Sequence, residues 1–272
     1  MFRVYLKNLK KNWKSGIIPP LIMGLIIPLI ASIWPQLKSA AEVFKTILEN
    51  PAYQAVLGSL GFVDISKWEG MFYMYIFIWL EMILLFIVIF FPSRMITTEV
   101  DKKTLDMSLS LPIPRWRYLL EKFLVYLTYN LLYPVIILLL AYISTVSLVA
   151  VGYDVTINYI TLTYSVIGVW MWYFALGAIS LLCGAIFLES RKALSASAAI
   201  VLGMYIIVRI GGMVESVSWL QYLSVFHYMA AGSIYQLDPL VFPVGDFFIL
   251  LGIGAVALAG ALYIFQKREL TY

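Results

Sequence analysis

Apolar residues run in six long stretches, roughly 16–34, 71–91, 123–151, 159–188, 193–214 and 244–265, separated by polar segments. A helix needs about 20 apolar residues to cross ~30 Å of hydrocarbon, and each stretch is near or above that length. None alternates apolar and polar residues at every second position, as a strand of a membrane barrel does. All six therefore predict transmembrane helices, the third and fourth long enough to tilt or to project. Pro19 and Pro20 predict the start of the first helix and Pro28 a kink within it. Ahead of the first stretch, Phe2, Tyr5, Leu6, Leu9 and Trp13 recur at helical spacing with Arg3, Lys7, Lys10 and Lys14 between them. Residues 1–15 thus predict an amphipathic helix in the headgroup plane, its lysines meeting anionic lipid.

The polar segment between the second and third stretches is the most structured of the connections. Thr97 or Thr98 is placed to cap a short helix whose first turn carries Glu99 and Asp101, acids that suit a helix N-terminus. The helix is expected to run to about Ser110, where Leu111-Pro112 and Ile113-Pro114 stop it, and Pro114 then opens the helix entering the third span. Leu105 and Leu109 stand one turn apart, an apolar pair on a surface helix that predicts a docking face. The short charged connection Glu189-Ser190-Arg191-Lys192 reads equally as a topology turn or as a second docking point. On the opposite side, residues 35–70 predict a cap over the mouth, with a short helix near 39–49 and turns at Gly58, Gly61 and Gly70. Residues 215–243, with Trp219, Tyr222, Phe226, Tyr228 and Tyr235, predict one or two short helices re-entering the interface.

Charge orients these spans. Fifteen of the 19 basic residues lie in the N-terminal arm, the second and fourth connections and the segment after the sixth span. The other side holds only Lys38, Lys45 and Lys67, while Arg209 lies within the fifth span. Positive charge stays inside, so both termini are expected in the cytoplasm. With 62% hydrophobic and 12% charged residues, and a mean hydropathy of +0.92, neither a water-soluble globule nor a disordered chain fits. One cysteine, Cys183, excludes an internal disulfide, and one histidine, His227, excludes a multi-histidine metal site. No internal repeat or linker divides the chain, which reads as a single transmembrane domain over 1–272.

The second connection resembles that of permease subunits of ABC-2 ATP-binding-cassette exporters. Their coupling region reads Glu, a few residues, Gly-Thr-Leu, then Leu-Leu-Ser-x-Pro-[small]-Ser-Arg. Glu99, Thr104, Leu105, Leu109, Ser110, Pro112 and Arg115 match in order, with Lys103 where glycine is usual and Pro114 where serine is usual. The ending Phe265-Gln-Lys-Arg-Glu-Leu270 is similar to the family's Phe-x-x-Arg-[acid]-Leu. The resemblance implies an all-α polytopic fold of six transmembrane helices, type V exporter-like, with an N-terminal interfacial helix and a cytoplasmic coupling helix within 94–118. It also implies a pathway formed between two permeases, the second copy identical or paralogous, in a prokaryotic plasma membrane. Glu99, Lys102, Thr104, Leu105, Leu109, Pro112, Arg115, Glu189 and Arg191 would then meet an ABC ATPase subunit on the cytoplasmic face.

No Gly-x-x-x-x-Gly-Lys-[Ser/Thr] phosphate loop occurs in the sequence, so ATP and magnesium are expected in the partner ATPase and no cofactor in this chain. Nucleic acid is not an expected partner. Two charges fall within spans, Glu81 in the second and Arg209 in the fifth. Buried charge in lipid is costly, so the two are expected to form an interhelix clamp or part of a gate. A stand-alone secondary transporter or channel is the competing reading, with Glu81 its one strong midplane group. An intramembrane enzyme fits least, because His227 lies outside the spans and one acid alone lies deep within them.

Overall fold

The computed structural model describes residues 3–39, 67–105, 113–229 and 244–268, and among them every regular element is helical. The helices are α1 (Arg3–Lys11), α2 (Trp13–Ser39), α3 (Trp68–Asp101), α4 (Arg115–Asn130), α5 (Leu132–Ala150), α6 (Tyr159–Phe187), α7 (Ser190–Met213) and α8 (Val244–Lys267). Two 3₁₀ turns, Glu215–Leu223 and His227–Met229, follow α7. Among the described residues, five segments are long and apolar enough to cross a membrane: Trp13–Gln36, Arg115–Ala150, Tyr159–Phe187, Ser190–Met213 and Val244–Lys267. The stretch expected as the second span lies within α3. The expected cap near 39–49 and its glycine turns, and the end of the 215–243 segment, fall outside the described residues.

α6 is the hub. It packs on α8, α3, α7 and α5, and its Trp172, Tyr173, Leu176 and Leu181 are fully buried. Its start is fixed by Asn158, whose side chain accepts from the amides of Ile160 and Thr161, an N-cap. Small residues set the closest approaches. A Cβ on Gly184 would lie 2.7 Å from the backbone oxygen of Ser93 in α3. A Cβ on Gly177 would meet the Tyr126 ring at 2.5 Å, and one on Gly254 in α8 would run into the Phe174 ring. Gly252 in α8, by contrast, faces open space. The outer helix faces carry exposed Leu21, Leu25, Phe86, Val146, Ile206 and Val256, side chains suited to a lipid surround.

Three expectations are corrected. Pro19 and Pro20 do not start the first long helix, which begins at Trp13 and holds both prolines inside it. The proline rings remove bonds to the carbonyls of Ser15 and Gly16, but those residues border a wide cavity where water can reach them. The third span, Arg115–Ala150, is divided at Leu131 into α4 and α5, although Leu131 keeps helical φ −67° and ψ −20°. Pro134 explains the division, since it has no N–H for the Asn130 carbonyl. Nor do Thr97 and Thr98 open a new helix, because α3 runs through them to Asp101. The Thr97 hydroxyl is buried and bonds back to the Ser93 carbonyl at 3.2 Å, so it is spent inside the helix rather than on a cap.

The segment after α7, two short 3₁₀ turns, folds back on the bundle. Ser224 donates to the Met204 carbonyl at 2.8 Å, and Phe226 wedges edge-on between Trp172 and Tyr205 at centroid distances of 5.2 and 5.4 Å. α1 lies along α4. The Glu121 carboxylate, buried, accepts from the amides of Val4 and Tyr5 at 3.1 Å each and pairs with Arg117 at 3.1 Å. At the other end of α1 the Tyr129 hydroxyl donates to the Leu9 carbonyl.

Candidate functional site

The basic end of the bundle gathers most of the predicted site residues, and the way α3 stops there decides their geometry. The amide of Thr104 donates to the Glu99 carbonyl at 2.9 Å and that of Lys103 to the Val100 carbonyl at 2.9 Å. This six-to-one and five-to-two pair is a Schellman stop. It puts Lys103 in the left-handed region at φ +53°. Glycine carries no Cβ penalty there, so the position where the family pattern has glycine is one whose backbone wants it. Lys103→Gly should stabilise the end of α3 by about 0.5–1 kcal/mol. Slower hydrogen exchange at residues 102–104 would register it, and unchanged or faster exchange would sink it.

The Glu99 side chain looks back toward α4. One carboxylate oxygen lies 2.7 Å from the Lys122 ammonium and the other accepts from the Tyr118 hydroxyl at 2.7 Å. Lys122 also donates to the Met95 carbonyl at 2.8 Å and lies 4.8 Å from the centre of the Tyr118 ring. Lys122 is 7% exposed, so its charge depends on these partners rather than on water. The cluster ties the last turns of α3 to the second turn of α4. Lys102 is exposed at the same corner, and the Thr104 hydroxyl lies 3.4 Å from the Glu99 carbonyl. Leu105 is fully buried, not displayed on a surface, and anchors the chain as it leaves α3. Leu109 and Pro112 lie outside the described residues.

Arg115 turns the other way. It donates to the Arg268 carbonyl at 2.7 Å, and the Trp116 amide donates to the Gln266 side chain at 3.0 Å. Arg268 in turn donates to the carbonyls of Ala185 and Ile186, which end α6 without helical partners. The start of α4 and the ends of α6 and α8 are thereby one clasp. The Glu189–Lys192 turn is exposed, with an ion pair of 2.7 Å between its ends and Arg191 open to solvent. It stands beside α3, because the Ser190 hydroxyl bonds to that of Thr97 at 2.9 Å. Glu99, Lys102 and Thr104 thus lie at the end of α3, with the Glu189–Lys192 stretch beside that helix at Thr97, while Arg115 is turned to the clasp of α6 and α8.

The expected pairing of Arg209 with Glu81 falls outside the described residues. The Arg209 guanidinium sits 5.0 Å from the centre of the Tyr205 ring one turn away. Glu81 lies in α3, and its side chain is outside the described residues. Lys122, Tyr118, Glu121 and Arg268 escaped sequence reasoning as site residues. The Arg117–Glu121 spacing of four and the match of Arg268 to the family's ending pattern were the readable signals. Among the described residues no group of three metal-ligating side chains occurs.

Between α1, α2, α3 and α4 the basic end also opens into a cavity of about 1080 Å³. A family model described as "ABC-2 family transporter protein" matches residues 7–270. No curated protein and no solved structure gives a significant match.

Proposed function

Because the chain belongs to the ABC-2 transporter family, and so is a multi-pass membrane component of an ABC transporter, we propose that two such permeases form the translocation pathway of an exporter. Separate ATPase subunits dock on the basic end, which faces the cytoplasm together with both termini. ATP and its magnesium are held and hydrolysed on those subunits. Lys102, Thr104, Glu189 and Arg191 supply polar contacts, Glu99 braces α3 against α4 beneath them, and the 106–112 segment with Leu109 and Pro112 supplies the apolar coupling element.

The observation that carries the reading is the brace at Glu99. A coupling element transmits force only if the helices it joins cannot yield locally. α3 is continuous from Trp68 to Asp101, 34 residues, or about 50 Å. Its last turns are bonded to α4 through Lys122 and Tyr118. A push on the connection after Asp101 therefore moves α3 and α4 as rigid levers, the shear or rocking by which such domains switch.

The test is co-purification with an ABC ATPase and hydrolysis that depends on both partners. Lys102→Glu and Arg191→Glu, both exposed, should lower the ATPase bound while leaving the thermal midpoint of the permease within about 2 °C. Vectorial transport driven by protons or sodium, in the purified chain alone, would overturn the reading in favour of a secondary transporter.

A further inference from the structure

We propose that the cavity at the basic end binds the head of an anionic membrane phospholipid, entering from the leaflet on that side. Five cations border it: Lys7 and Lys11 from α1, Arg94 and Lys102 at the end of α3, and Lys122 from α4. Glu99 is the one acid among the described lining residues, and Lys122 and Tyr118 already hold both its oxygens. Lys11 also lies near enough to Lys122 to add repulsion there. With Lys122 paired to Glu99, four of these cations remain without a lining acid, and a bound anion relieves such like charges.

The walls below the rim are of the opposite character. Phe86, Phe90 and Phe91 descend along α3 and Pro19 along α2. Phe86 is 65% exposed and Phe90 45% exposed, so this wall opens sideways to the lipid surround. From Glu99 at the rim to Phe86 is thirteen residues, about 20 Å of helix. That is about the half-thickness of a bilayer with its headgroups. A cationic rim above an aromatic wall one leaflet deep fits an anionic head joined to an acyl chain. A small phosphate in water would use the rim and leave the wall bare.

The arm offers an internal control. Lys10 and Lys14 lie on the same basic segment but do not border the cavity. The full-length chain, purified in neutral detergent, is equilibrated with phosphatidylglycerol or phosphatidylcholine and the retained lipid is counted by native mass spectrometry. The chain and its Lys10→Gln/Lys14→Gln variant should retain phosphatidylglycerol and not phosphatidylcholine. Lys7→Gln/Lys11→Gln should retain it about 25-fold more weakly, fivefold per lysine, with an unchanged thermal midpoint in lipid-free detergent.

Equal weakening in both double variants would mean that the arm attracts acidic surfaces without a site, and the proposal would fall. Equal retention of the two lipids would overturn it as well. Displacement by excess inorganic phosphate would assign the rim to a soluble anion and remove the lipid. Nothing in this binding needs an ATPase partner, so its failure leaves the docking face untouched.

Discussion

Glu121→Ala should unfasten α1 from the bundle, at a cost of about 2–3 kcal/mol to the docked state. The carboxylate is buried, and the amides of Val4 and Tyr5 have it as their acceptor at the start of a helix. Orphan amides there are ordinarily capped from within the sequence; here the cap comes from a residue 117 positions away. The charge also faces the positive end of the α1 dipole. Alanine leaves two donors uncapped and removes the Arg117 ion pair. Glu121→Gln keeps an acceptor without the charge and should lose roughly half as much. The released population should rise about 30- to 140-fold with alanine. Limited trypsin digestion reads this as faster cleavage at Lys7, Lys10 and Lys11. Cleavage at wild-type rates would show that α1 is held by other contacts.

The second large effect is expected at Gly184. Its absent Cβ would stand 2.7 Å from the Ser93 carbonyl oxygen and 3.4 Å from the carbon, both backbone atoms of a helix that cannot rotate away. Gly184→Ala should cost about 1–3 kcal/mol, as overpacking does. Gly184→Val should cost more than about 4 kcal/mol, enough to lose most folded protein. The Ser93 oxygen also accepts the Thr97 hydroxyl, and that hydroxyl meets Ser190. Pushing α3 from α6 therefore disturbs the Glu189–Lys192 turn as well. Gly252→Val is the control, a glycine of α8 whose Cβ would find nothing within 4 Å. Equal yields and unfolding midpoints for the two valine variants would refute the close-approach argument.

The long apolar stretches are legible because hydropathy alone demands a helix wherever lipid surrounds the backbone. The helical spacing of Tyr5, Leu6 and Leu9 likewise announces α1. Single-residue roles are harder. Thr97 has the composition of a cap, but a hydroxyl buried beside α6 finds its i−4 carbonyl closer than any free amide. Pro134 is a plain break signal, hidden inside a stretch whose apolar length reads as one continuous helix. The pairing of Glu99 with Lys122 is not legible at all. The two are separated in sequence by Pro112 and Pro114, and which cation meets the acid depends on how α3 and α4 are rotated against each other. Leu105 reads as a docking residue because the pattern shows apolarity but not which surface absorbs it.

The arginine that closes the ends of α6 and α8 has a consequence for biosynthesis. Arg268 reaches carbonyls of residues made 82 and 83 positions earlier. A ribosome adding about 5–20 residues per second needs roughly 4–16 s to cover that distance. During that interval the tail of α6 has no latch, and whatever shields those two carbonyls must be solvent or the insertion machinery. Arg268, just past α8, thus acts as a late bolt, shot home only after the helix it secures has been made.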